Sequence, residues 1–264
     1  MKPLALEGVS LIGPGFADWA AARAVLAGQA PYAPAPTAVP APTLLPPNER
    51  RRSGLAVRIA LAAGAAALAE SGREAAGLAT VFASSAADGD TCHAICEQLA
   101  GSDRLISPTR FHNSVHNAPA GYWSIATRSM APSTSLAAYD ASFCAGLLEA
   151  AALVEARGTA VLLVAFDAPY PEPLLAKRPL PAAFGLGLVL APAGALAARA
   201  ELRLALGRGA PSALADPALE ALRRALPTAR ALPLLGLLAR AGRGSVALEF
   251  QEGLSLEAAV TPCA

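Results

Sequence analysis

Pro132-Ser-Thr-Ser-Leu-Ala-Ala-Tyr-Asp140-Ala-Ser-Phe-Cys144-Ala-Gly-Leu-Leu-Glu-Ala-Ala-Ala-Leu-Val154 joins an apolar run to a tight turn and then, without a spacer, to a helical pattern of small residues. Thr134, Ser135, Leu136, Ala137, Ala138 and Tyr139 predict a strand. Ser142 to Ala156 predicts a helix, closed at Gly158 because glycine favours the left-handed conformation at a helix C-terminus. A strand that breaks sharply into a helix is where α/β enzymes often hold a nucleophile. Asp140, Ser142 and Cys144 are the chemistry-bearing side chains of this turn. Asp140 also has a structural use, since a carboxylate at a helix start accepts backbone N–H bonds and favours the dipole.

Outward from the turn, buried strands and helices alternate. Upstream, Leu4 to Ile12 predicts a strand that runs into Gly13-Pro14-Gly15, and Asp18 to Leu26 has helical spacing. Prolines at nearly every second or third position between Pro31 and Pro47 predict an extended surface loop. Ser53 is placed to cap a helix running to Ala69, Gly77 to Ser84 predicts a strand, and Asp90 or Thr91 can cap a helix over Cys92 to Leu99. Downstream, Thr159 to Phe166 carries no charge, as in strands buried on both faces, and Phe184 to Leu190 predicts a fifth strand. Strands at Glu201 to Leu206, Ser245 to Phe250 and Leu254 to Val260 follow, with helices at Asp216 to Ala225 and Leu232 to Ala241. The alternation predicts an α/β layer fold with right-handed crossovers.

Composition narrows the function. Apolar residues make up 54% of 264, charged residues only 16%, so the chain can bury a sizeable core. With 21 basic against 20 acidic residues and no long basic run, nothing argues for nucleic acid or an anionic membrane. The uncharged run Pro179 to Ala198 is broken by Pro181, Gly185, Gly187 and Pro192, and reads as buried strand rather than a membrane span. Cys92, His93 and Cys96 lack a second ligand pair at a usual spacing, so no metal or other cofactor is expected. The scattered cysteines and the absence of a signal pattern point to the cytoplasm.

Four features in this order resemble the β-ketoacyl synthases of the thiolase-like superfamily: Leu44 to Arg52, His112 to Trp123, Asp140 to Ala152, and the glycine-containing run Phe184 to Leu190. The resemblance covers roughly the first two hundred residues, and its nearest branch is the short chain length factors that accompany aryl polyene and xanthomonadin-type pigment synthases. It implies a thiolase-like half: a five-stranded mixed sheet with helices on both faces over residues 1–207, and a small α/β extension, 208–264, packed on it. It also implies that Asp140 occupies the slot of the attacking cysteine, with Cys144 about one helical turn further on. The family's enolate-stabilising histidines come from later in its chains, whereas the three histidines here all precede the turn. Covalent acyl transfer needs an activated nucleophile and a positioned acid or base.

The resemblance therefore implies a non-catalytic subunit that pairs with an active β-ketoacyl-ACP synthase, meets acyl carrier protein through that partner, and shapes the acyl tunnel. Residues 134–139 would form the dimer edge. Phe111, His112, His116, Asn117, Tyr122, Trp123 and Phe143 would face the tunnel or partner, with Phe143 crowding any acyl chain. Two alternatives stand beside it. One is a homodimeric acyl- or carrier-protein-binding module. The other is an enzyme in which Ser142 or Cys144 attacks, His112 or His116 acts as base and Asp140 orients it. Plain structural roles also fit: Tyr122 and Trp123 as core, and the histidines as hydrogen-bonded groups at helix starts.

Overall fold

The computed structural model describes residues 1–263. Its strands are β1 (Leu4–Ile12), β2 (Ala79–Ala83), β3 (Ser133–Leu136), β4 (Val161–Asp167), β5 (Phe184–Pro192), β6 (Ala200–Gly207), β7 (Gly244–Gln251) and β8 (Leu254–Pro262). They form one eight-stranded sheet in the order β3-β2-β4-β5-β1-β6-β8-β7. β2 runs parallel to β3 and β4, and the remaining pairings are antiparallel. Every residue of β1, β2 and β4 is buried, which is why these strands read as mostly apolar runs. β6 alternates buried and more exposed positions, as a strand with one wet face does.

The sheet has eight strands where five were expected, because β6, β8 and β7 continue the ladder beyond β1. β6 pairs with β1 at Leu4 to Leu6 and with β8 along its whole length. Helices cover both faces. On one, α1 (Trp19–Leu26), α7 (Ser142–Arg157), α9 (Pro217–Ala225) and α10 (Leu232–Ala239) share a core with Leu6, Val9, Leu163 and Leu188. On the other, α3 (Leu55–Ser71) and α6 (Ala118–Thr127) pack with Ile12, Phe82, Val164 and Val189. α3 comes close enough that a Cβ at Gly187 would stand 2.6 Å from the Ala63 carbonyl oxygen, so only glycine fits there. The Ser10 hydroxyl closes the same contact, donating to the Ala63 carbonyl at 2.6 Å and accepting from the Gly187 N–H at 2.9 Å.

The remaining helices are α2 (Pro47–Arg52), α4 (Gly89–Ala100), α5 (Pro108–Asn113) and α8 (Leu174–Lys177). Two expected caps differ. The Ser53 hydroxyl donates to the Arg50 carbonyl, so Ser53 closes α2, and Gly54 opens α3. α4 is capped by Asp88, which accepts from the Thr91 N–H at 3.0 Å. Asp90 then sits in the first turn, and the helix begins earlier than Cys92. β3 also stops short of the expected Tyr139. Its neighbour β2 ends at Ala83, the partner of Leu136, so Ala137 and Ala138 have no ladder to join. The Ala138 N–H goes instead to the Ser142 hydroxyl.

Candidate functional site at the Asp140 turn

Tyr139–Ala141 forms a single 3-10 turn between β3 and α7, entered with Tyr139 at φ 52°, a conformation costly for a residue with a Cβ. The Ser142 hydroxyl secures the turn, accepting from Ala138 at 3.0 Å and donating to the Tyr139 carbonyl at 2.6 Å. Ser142 is buried and its hydroxyl is engaged both as donor and as acceptor. Cys144, in the first turn of α7, is 1% exposed, and its thiol donates to the Glu249 carbonyl at 3.4 Å. Burial pushes that thiol up to about 12, against the thiolate that a nucleophile needs.

Asp140 is bound by cations. Its two carboxylate oxygens take Arg178 at 2.5 Å and Arg230 at 3.1 Å. Arg178 also donates to the Tyr170 hydroxyl at 2.8 Å, and its guanidinium lies 3.7 Å over the Tyr139 ring, so the strained residue is clamped through its side chain. Arg230 reaches Glu249 at 3.3 Å, and Arg223 joins Glu249 to Glu220. Arg223 holds the Glu220 carboxyl well down, at about 2. One chain of ion pairs thus ties the turn to α9, to β7 and to Arg230 in the Thr228–Ala231 turn before α10.

Sequence reasoning missed Arg178, Arg230, Arg223 and Glu249. One signal was present: Arg230 is the single charge between Leu226 and Ala239. Asp167, at the end of β4, was missed too. It is 1% exposed, accepts from the Thr228 N–H at 2.7 Å and the Ser85 hydroxyl at 3.4 Å, and burial raises its carboxyl to about 6.

The α5–α6 residues do not converge on the Asp140 turn. Tyr122 and Trp123 are 1% and 2% exposed and face their own core. Tyr122 donates to Asn113 at 3.0 Å, and Asn113 donates to the Arg52 carbonyl at 2.8 Å, which joins α5 and α6 to α2. Trp123 packs edge-on to Phe82 and over Gly64, where a Cβ would come within 2.8 Å of the ring. Phe143 is likewise buried in the core. These three leave no surface for a partner on the isolated chain. Phe111 is 66% exposed and His112 and Asn117 are also exposed, while His116 Nε2 lies 3.1 Å from the Ser84 carbonyl. Among the described residues no group of His, Cys, Asp or Glu is assembled to hold a metal ion, and no helix is long and apolar enough to cross a membrane.

The model of the β-ketoacyl synthase N-terminal domain matches residues 19–233. The chain belongs to that family. Its fold is the thiolase-like ketosynthase fold, shared with three solved assemblies. One is a ketosynthase, ApeO, in complex with its chain length factor, ApeC, from Xenorhabdus doucetiae: 24% identity over 98% of this chain and 100% of the other, TM-score 0.75. Another is the ishigamide ketosynthase/chain length factor, at 14% identity over all of both chains, TM-score 0.71. The third is AntDE:AntF, a type II polyketide synthase acyl carrier protein in complex with its ketosynthase, at 12% identity over 99% of each chain, TM-score 0.73. No curated protein matches the chain. Within this ketosynthase-family fold the start of the buried helix is thus occupied by an arginine-bound carboxylate.

Proposed function

We propose that the chain is a non-catalytic, chain-length-factor-like subunit that pairs with an active β-ketoacyl-ACP synthase and shapes its acyl tunnel in polyene- or fatty-acid-type biosynthesis. The observation that carries this reading is the state of the Asp140 turn. Its carboxylate is neutralised by two arginines, its serine is spent on the backbone, and its cysteine is buried as a thiol. None of the three is presented as an activated nucleophile.

The sheet edges support pairing. At the β7 end the middle of the edge is occupied: Ser212 donates its N–H to the Ala247 carbonyl at 2.8 Å, and its hydroxyl accepts from the Ala247 N–H at 3.0 Å. At the β3 end, the carbonyls of Pro132 and Leu136 accept from Thr80 and Ser84 of the β2 side. The alternate residues Ser133 and Ser135 therefore turn their backbone groups outward. An open edge is a pairing site that lone proteins usually blunt. Among the described residues, seven of the twelve exposed large apolar side chains also fall between Leu99 and Tyr139, on the segment that runs through β3 into the following turn.

The test is co-expression with a ketosynthase followed by sizing of the complex and intact mass analysis. The expected result is a one-to-one heterodimer in which only the ketosynthase is acylated by acyl-carrier-protein thioesters. Sizing that finds only a homodimer would favour the acyl-binding module. Stoichiometric acylation of this chain, lost in Ser142→Ala or Cys144→Ala, would overturn the non-catalytic reading.

A further inference from the structure

Beside Asp140 lies a cleft of about 380 Å³, lined by Tyr139, Lys177, Arg178, Leu180, Arg224 and Arg230 among others. Four cationic groups face it against one carboxylate. Glu220 and Glu249 behind it, and Arg223 between them, bring the wider cluster to five cations and three carboxylates, still net positive by two. In a chain whose formal charge is only +1, this is a local concentration of positive charge, and a concave one.

The donors are also arranged. Asp140 and the Tyr139 ring hold Arg178 in place, so its guanidinium does not have to be ordered by a ligand. It donates to Asp140 and to the Tyr170 hydroxyl and keeps further N–H donors in hand. Lys177 makes no ion pair among the described residues, and Arg224 is attached only through Glu220 at the outer wall. Pro179, Pro181 and Pro227 stiffen the rim, and Leu180 and Tyr139 give it an apolar flank.

We propose that this cleft binds a phosphate-type dianion, with Arg178 and Arg230 as a fixed floor and Lys177 and Arg224 closing from the wall. Two oxygens of a tetrahedral dianion suit the planar arginine fork, and the remaining charge is met by the lysine as a point charge. The inference stands apart from the pairing role, since it needs neither a ketosynthase nor an acyl group.

The experiment is calorimetric titration of the full chain with inorganic phosphate and, separately, with glycerol 3-phosphate, in chloride buffers of matched ionic strength. Saturable binding is expected, weakened about tenfold or more in Lys177→Gln/Arg224→Gln. Both side chains are outside the Asp140 pair, so this variant keeps its fold. Arg178→Lys, which retains the charge and loses the fork, is expected to weaken binding several-fold as well. Equal affinity for the two probes identifies free phosphate as the occupant. Tighter binding of the ester identifies a phosphomonoester whose organic part uses the apolar flank. No saturable binding of either probe, or binding unchanged in the double variant, overturns the proposal.

Discussion

Asp140 holds two arginines whose side chains are only 16% and 13% exposed, while it is itself 37% exposed. Asp140→Ala leaves both cations without their shared partner in a half-dry site, which should lower stability by about 1–3 kcal/mol, read as a fall in Tm. Asp140→Cys carries the same cost. It should also fail to produce ketoacyl product, because no histidine follows residue 116 to stabilise an enolate. Product from that single variant without any partner would contradict the non-catalytic reading. The cysteines offer an independent check. Cys96 and Cys263 are exposed and should be alkylated by iodoacetamide at pH 8, whereas Cys144, buried with its thiol pushed up to about 12, should react only after denaturation. Rapid native labelling of Cys144 would put a reactive thiol back into the turn. None of the Asp140 pairs was legible in the sequence, since its partners lie 38 and 90 residues away. The turn itself was legible, because an apolar run, a break and a small-residue helix are local signals.

At the scale of elements, strand runs and helix periods were readable wherever burial is uniform, as in β1, β4 and β5. The end of β3 was not, since the length of β2 beside it decides where the ladder stops. The outward-facing N–H of Ser135 gives a clean test of that edge. Ser135→Pro removes an N–H that β2 does not use, so it should leave Tm nearly unchanged for the isolated chain yet abolish co-purification with a ketosynthase. Retained co-purification would move the interface elsewhere. α5 and α6 should divide in the opposite way. Trp123→Ala empties a packed site and should cost about 3–5 kcal/mol, whereas Phe111→Ala should spare stability and weaken the complex. Tyr122 and Trp123 looked alike in the sequence to the exposed aromatic Phe111. What separates them is distant in sequence: Trp123 is seated by Gly64 and Phe82, and Tyr122 donates to Asn113, which is itself tied to Arg52.

For the whole molecule, two carboxyls set opposite limits on stability against pH. Asp167 is raised from 3.8 to about 6 by burial, so the folded protein holds a proton that the unfolded chain releases. Its contribution is complete below about 3.8 and lost as pH rises through 6, on the order of 3 kcal/mol. Glu220, lowered from 4.5 to about 2, contributes above 4.5 and loses that contribution as pH falls. The Tm should therefore rise between pH 7.5 and 5 and decline below 4, with Asp167→Asn flattening the upper limb. A Tm that falls steadily from pH 7.5 to 5 in the unaltered chain would show Asp167 ionised and well solvated. The position of β1 also has a consequence for synthesis. β1 lies in the interior of the sheet, and its partners are Gly185–Pro192 on one side and Ala200–Leu202 on the other. At about 5–20 residues per second, a ribosome needs roughly 10–40 s to deliver them. Throughout that interval the nine residues of β1, all buried in the folded protein, have no ladder to join. The central pairings of the sheet therefore close late in synthesis, after the helices and strands between β1 and β5 have been made.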